Sequence, residues 1–256
     1  MRLLFILLSL FLTQTSFAAS TTTGHVVGFS KDGRYFVFEE FVIQDGSGFP
    51  QATLYIIDTT DDSWLKGTPI KAQRELDESD GSSKEYAELE RKGIASVRKE
   101  VRDRAASIMN RIGPIVPATQ RVFNTVYDFG ANTKKARFSI IDYQQTINTP
   151  TTHQMWRLEL DPITFPADDS CFDLTAKKEG FRLRLIDELD DSSRTVAEDK
   201  RIPKSRGCAS NNKIEQVVSY QIDRTTAVLG VLIRYSHPGF EGSDGSLLAI
   251  TTRIKK

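Results

Sequence analysis

Carboxylates set in glycine-rich loops are the residues of this chain with the clearest capacity for chemistry. Asp45 lies in Asp45-Gly46-Ser47-Gly48-Phe49-Pro50, and Glu241 and Asp244 lie in Gly239-Phe240-Glu241-Gly242-Ser243-Asp244-Gly245. Glycine leaves neighbouring carbonyls free, and a hard cation such as calcium takes an oxygen set of that kind. Glycine also lets a ligand approach the backbone, and Phe49 and Phe240 add apolar contact, so Asp45, Phe49, Phe240, Glu241 and Asp244 form a candidate ligand or partner site. The same residues also build plain turns that hold nothing. Glu39 and Glu40 are adjacent, but neighbouring strand residues point to opposite faces, so the two are not expected to flank one substrate. His25, His153 and His237 are far apart in the chain and read as separate surface or core residues rather than a metal set.

The chain has no Gly-x-Ser-x-Gly elbow, no phosphate loop ending in Gly-Lys-Ser/Thr and no His-Glu-x-x-His helix. No catalytic residue is assigned, and no cofactor is expected beyond the calcium reading.

The loops need strands to hold them. Val26-Val27-Gly28-Phe29 and Tyr35-Phe36-Val37-Phe38 flank Lys31-Asp32-Gly33-Arg34, a hairpin signal because Gly tolerates the positive φ of a tight turn. The second strand runs to Ile43, and Thr53 to Asp58 forms a third, with apolar residues on both faces. Residues 217–252 repeat this plan of strand, turn, strand, glycine loop, strand. Further strands are expected at Arg137–Tyr143, Gln154–Leu160, Phe181–Leu189, Ile214–Ile222, Ala227–Tyr235 and Leu247–Ile254. The fold class is mainly β within α+β: an antiparallel sandwich, or sheets arranged like part of a propeller, with one long helix after the third strand.

That helix, about residues 82–112, carries Ile94, Val97, Val101, Ala105, Ile108 and Ile112 as a stripe at spacings of three and four. Gly93 is expected to break or bend its start, and Gly113-Pro114 stops it. Arg91, Lys92, Arg98, Lys99, Arg102, Arg104 and Arg111 form a basic face, read as solvated, so charge at Arg98 and Arg102 is expected to matter little. The other reading is a docking surface for anionic partners.

Residues 1–18 form an export signal: Arg2, an apolar run from Leu3 to Leu12, and small residues at Ser16 and Ala18, with cleavage after Ala18 or, failing that, Ala19. Removing them leaves 33 basic against 34 acidic residues in a single domain, 19–256, and no later segment is apolar enough to span a membrane. A balance so near zero argues against nucleic acid as a partner. Cys171 and Cys208 are the only cysteines, and an even count in an exported chain reads as a disulfide.

Gly28-Phe29-Ser30-Lys31-Asp32-Gly33-Arg34-Tyr35-Phe36-Val37-Phe38-Glu39, with Gln44 to Pro50 and Tyr55-Ile56-Ile57-Asp58, resembles a bacterial family of predicted secreted proteins, DUF2259, and Gly239 to Gly245 is similar to its second signature. The resemblance implies export and β structure and carries no catalytic residues. The first stretch is also similar to the strand unit of periplasmic propeller repeats, but one copy is visible and a propeller needs about four blades. Three function classes stand open: a non-catalytic periplasmic or secreted binding or scaffold module for an envelope or periplasmic partner, a carboxylate- or metal-dependent hydrolase of the cell envelope, and an envelope-surface protein docking through the basic helix. The intact mass of the exported protein is expected to correspond to a chain starting at Ala19 or Ser20; a mass that retains Met1 or Arg2 would contradict the signal.

Overall fold

The computed structural model describes residues 20–44, 46–76, 83–124, 133–140, 154–171, 177–239 and 242–255. The signal segment, Asp45, His153, Phe240 and Glu241 lie outside the described residues.

The Asp-Gly turn joins β1 (Thr23–Ser30) to β2 (Tyr35–Ile43). Gly33 takes φ 68°, and Asp32 Oδ1 accepts from Ser30 Oγ at 2.6 Å and from Arg34 N at 3.0 Å. β3 (Pro50–Asp58) completes an antiparallel meander, β4 (Ser63–Trp64) and β5 (Ile70–Gln73) both pair with β3, and β6 (Ile115–Val116) pairs with β1. Helix α1 (Ser83–Ile112) therefore follows the fifth strand, not the third. The two strands between β3 and the helix, absent from the sequence reading, have two and four residues, too few to show a period.

α1 backs this first sheet. Val97, Val101 and Ala105 are fully buried against Val37, Ala52, Leu54, Ile56, Ile70 and Ala72. The helix continues through Gly93, where a Cβ would stand 2.7 Å from both Pro50 and Leu76, so glycine there serves close approach rather than a break. It ends at Gly113, with φ 84° and its N–H on the Met109 carbonyl. The expectation of a wholly solvated basic face fails at two residues. Arg98 Nε meets Glu39 Oε2 at 3.0 Å, and Arg102 meets both oxygens of the same carboxylate, with Nη2 to Oε2 at 2.8 Å. Glu39 is 0% exposed, and Arg98 also lies 4.2 Å over the Phe41 ring. Long side chains at the rim of the stripe reach back to a charge the sheet has buried.

β8 (Lys135–Ser139), β9 (Met155–Pro166), β10 (Lys177–Asp187) and β11 (Ser193–Glu198) form an outer sheet, ordered β11-β10-β9-β8. β7 (Gln120–Asn124), β12 (Ser210–Gln221), β13 (Thr226–Pro238) and β14 (Ser243–Lys255) form another, ordered β14-β13-β12-β7. The last sheet lies between the other two. In β13, Ala227, Leu229, Val231 and Ile233 pack toward Leu158, Leu183 and Leu185 of the outer sheet, while Val228 and Leu232 pack toward Phe29, Phe36 and Phe38 of the helix-backed sheet. Gly230 makes room for Phe36, whose ring would stand 2.7 Å from a Cβ at that position. The three-stranded units read at the two ends are both present, as the β1–β3 and β12–β14 meanders, and they pack face to face as in a sandwich. A disulfide between Cys171 and Cys208 ties the segment after β9 to the segment before β12.

Glu39 without its arginines would be an uncompensated buried charge, so Arg98→Ala/Arg102→Ala should lower stability by about 3–5 kcal/mol, and Val101→Asp by several kcal/mol. Urea unfolding checks both. An unchanged midpoint in the double variant would show that the Glu39 pairing contributes nothing.

Candidate functional site

A sheet covered on both faces meets solvent along its edges, and β14 is an edge strand. It pairs with β13 through thirteen residues without a bulge, with Arg234 opposite Leu247, Leu232 opposite Ala249 and Gly230 opposite Thr251. Backbone polar groups in such a ladder alternate between partner and solvent. Gly245, Leu247, Ala249, Thr251 and Arg253 are the residues that direct theirs off the sheet, as the contacts of the other four show and the unbroken register requires for Ala249. Gly245 N–H donates to the Ser20 carbonyl at 2.9 Å and its carbonyl accepts from Thr22 N at 3.1 Å. Leu247 N–H donates to Glu40 Oε2 at 3.2 Å, Thr251 N–H to Asp62 Oδ1 at 2.6 Å, and the Arg253 carbonyl accepts from Arg194 Nη2 at 2.5 Å. The Ala249 N–H meets no acceptor among the described residues.

Three clefts follow one another along this edge. The first, about 250 Å³, lies beside residues 244–246 and is lined by Glu40, Gln44, Gln51, His237, Asp244 and Ser246 among others. Gln44 and Gln51 stand at the base of the β2–β3 loop, Asp244 at the base of the β13–β14 turn, and Ser20 links the two sides through its N–H to Asp244 Oδ1 at 2.9 Å and its hydroxyl to the Ile43 carbonyl at 3.3 Å. Glu40 points here, away from the helix that Glu39 faces, as strand alternation requires. Its Oε1 accepts from the Tyr55 hydroxyl at 2.5 Å. Burial pushes the Glu40 carboxyl up, against the opposing effect of those hydrogen bonds, and burial together with the Glu40 charge pushes the Tyr55 and Tyr235 phenols up. His237 Nε2 stands 2.9 Å from Ser246 Oγ and Nδ1 3.3 Å from the Pro238 carbonyl. In the neutral ring a carbonyl beside Nδ1 places the proton there, and Nε2 is then the acceptor toward Ser246.

The middle cleft, about 490 Å³, runs beside residues 247–250. Tyr55 and Trp64 of the helix-backed sheet form one wall; Ala197, Pro203 and Arg206 beside β11 form the other. The Tyr55 and Trp64 rings are 6.0 Å apart, and Trp64 is 56% exposed. The third cleft, about 700 Å³, runs beside residues 251–255 and includes Asp62 and Arg194. Asp62 occupies the left-handed region, φ 55°, in the turn before β4, a conformation aspartate tolerates.

Of the residues singled out in the sequence, Asp244 lines the first cleft, and Phe49 is half-buried in the loop beside it without lining it. Asp45, Phe240 and Glu241 lie outside the described residues. His25 stands opposite Glu39 in the helix-backed sheet, whereas His237 stands opposite Asp244 in the β12–β14 sheet. Glu40, Tyr55, Asp62, Trp64 and Ser246 were not legible as site residues, because each is defined by a contact with a distant segment. The one local sign was Trp64, a large aromatic in an acidic, turn-rich stretch.

Residues 37–253 match a family model described as predicted secreted protein (DUF2259), a span running from β2 into β14. No curated protein and no solved structure matches the chain.

Burial raises the Asp62 carboxyl from 3.8 to about 6, opposed by the two hydrogen bonds from Thr251. A folded-state value above the unfolded one means a stabilising contribution that is complete below about 3.8 and lost as pH rises through about 6. Asp62→Asn should therefore flatten the fall in stability between pH 4 and pH 7, by at most roughly 3 kcal/mol. Urea midpoints at the two pH values check this, and identical profiles for variant and wild type would contradict it.

Proposed function

The chain belongs to the DUF2259 family of predicted secreted proteins, and from that premise we propose that it is a non-catalytic binding module whose ligand seat is the groove along β14. The proposal takes residues 19–256 as one domain, released into the periplasm or beyond by cleavage after Ala18 or Ala19. It also takes the two glycine loops, with Asp45, Phe49, Phe240, Glu241 and Asp244, as the partner-contacting rim at the polar end of that groove.

A hydrolase is the competing reading, and the Ser246–His237 pair is what favours it. A serine hydroxyl donating to a histidine whose other nitrogen faces a carbonyl has the arrangement of an activated nucleophile. Acyl transfer also needs donors aimed at the developing oxyanion. The backbone N–H groups on either side of Ser246 are already committed, Gly245 to the Ser20 carbonyl and Leu247 to Glu40 Oε2. That occupation is the observation that carries the binding reading. Recognition uses the same groups without requiring a free oxyanion site.

para-Nitrophenyl acetate, assayed with and without calcium chloride, separates the readings. No turnover that depends on Ser246 is expected, and Ser246→Ala should match wild type. Turnover abolished by Ser246→Ala would overturn the binding module in favour of a hydrolase.

A further inference from the structure

We propose that the open step of β14 at Ala249 receives an extended segment of another polypeptide as an added strand, with an apolar side chain of that segment resting against Tyr55 and Trp64. The proposal rests on the binding-module reading and names the class of ligand.

The edge itself shows the mode. Ser20 to Thr22 lie along β14 in parallel, joined by a single bridge between Thr21 and Gly245, with one carbonyl and one N–H straddling the backbone of Gly245. Two steps further on, Leu247 N–H is met by a side-chain carboxylate in place of a neighbouring strand, and six residues on, Thr251 N–H is met in the same way. Ala249 lies between these two caps, at the next outward position, and lines the 490 Å³ cleft. Its methyl group is too small to cover its own amide. Edge strands normally end such exposure with charges, proline or a covering segment. Here both neighbours are capped and the step between them is open. Three residues of an extended chain suffice to supply the carbonyl and the N–H that the step lacks.

The walls select a single strand over a folded sheet. Tyr55 and Trp64 rise from one neighbouring sheet and Ala197, Pro203 and Arg206 from the other side. A second copy of this chain would bring the same walls to its own β14, and the two recessed edges would be held apart. A lone extended segment meets no such obstacle. Trp64, more than half exposed on a two-residue strand next to the Tyr55 ring, offers the apolar surface that anchors an alternating side chain.

The test pans a phage-displayed library of random 12-residue peptides on the intact, disulfide-bonded protein and measures a synthetic selected peptide by calorimetry. Ala249→Pro removes the outward N–H and leaves the β13 ladder alone. It should keep the urea midpoint near wild type while weakening the peptide by about tenfold or more. Trp64→Ala should weaken it by a similar factor. Independently of any protein variant, N-methylation of the peptide backbone should abolish binding at the amide facing the edge and leave it intact at the next residue. A selected peptide insensitive to backbone methylation would overturn the proposal, and so would a library that yields no binder. If chitotetraose binds in a Trp64-dependent way and no peptide does, strand addition falls while the binding module stands. A concentration-dependent dimer abolished by Ala249→Pro would give the edge to a second copy and overturn it as well. Failure of the module itself is read separately, in turnover that requires Ser246.

Discussion

A sheet buried on both faces has only its edges left for solvent, and the β12–β14 sheet is such a sheet. β13 is apolar on both sides because two other sheets cover it. Its neighbour β14 must then settle its outward N–H and carbonyl groups in a place where water is partly displaced, and unmet backbone groups there are costly. The settlement uses three different devices: a short parallel segment at Gly245, carboxylates from the helix-backed sheet at Leu247 and Thr251, and an arginine from the outer sheet at Arg253. The sheets on both sides of this one contribute, the helix-backed sheet through Glu40 and Asp62 and the outer sheet through Arg194. The groove is thus a consequence of how the sheets stack.

β2 links this edge to the helix. Strand alternation sends Glu39 to one face and Glu40 to the other, so adjacent carboxylates serve opposite sides of a single sheet. Glu39 binds Arg98 and Arg102 of α1, whereas Glu40 replaces a strand carbonyl at Leu247. A buried ion pair adds little net stability over an apolar replacement, but losing one partner leaves a charge the interior cannot solvate. The Glu39 cluster therefore adds little net stability as a whole, yet neither side of it can be removed without cost. Glu40 and Asp62 are raised by burial for the same reason: each trades solvation for a place at the edge.

Much of this fold was legible in the sequence because its signals are local. Asp32-Gly33 declares the hairpin, the Val97, Val101 and Ala105 spacing declares the buried helix stripe, and the repeated plan at the two ends declares two meanders that prove to face each other. β4 and β5 escaped notice because they are too short to carry a period, and β11, Ser193–Glu198, has no apolar alternation to mark it. The pairing of Arg98 and Arg102 with Glu39 joins residues about sixty positions apart. The caps on β14 join residues 189 and 207 positions apart. Contacts of that kind leave no periodic trace, and one residue of each pair looks like an ordinary surface charge or turn aspartate. Glycine loops are easy to see in a sequence, yet here the described geometry gathers its polar and aromatic groups along a strand edge beside them.

The openness of β14 at Ala249 is the claim on which the functional account turns, and amide hydrogen exchange of the free protein tests it directly. Leu248 and Ile250 donate into the β13 ladder and Leu247 and Thr251 donate to carboxylates, so these four amides should be protected. Ala249 should exchange at least about tenfold faster than any of them. Protection of Ala249 equal to that of its neighbours would mean that the step is already filled, and the groove would then have no strand to offer a ligand.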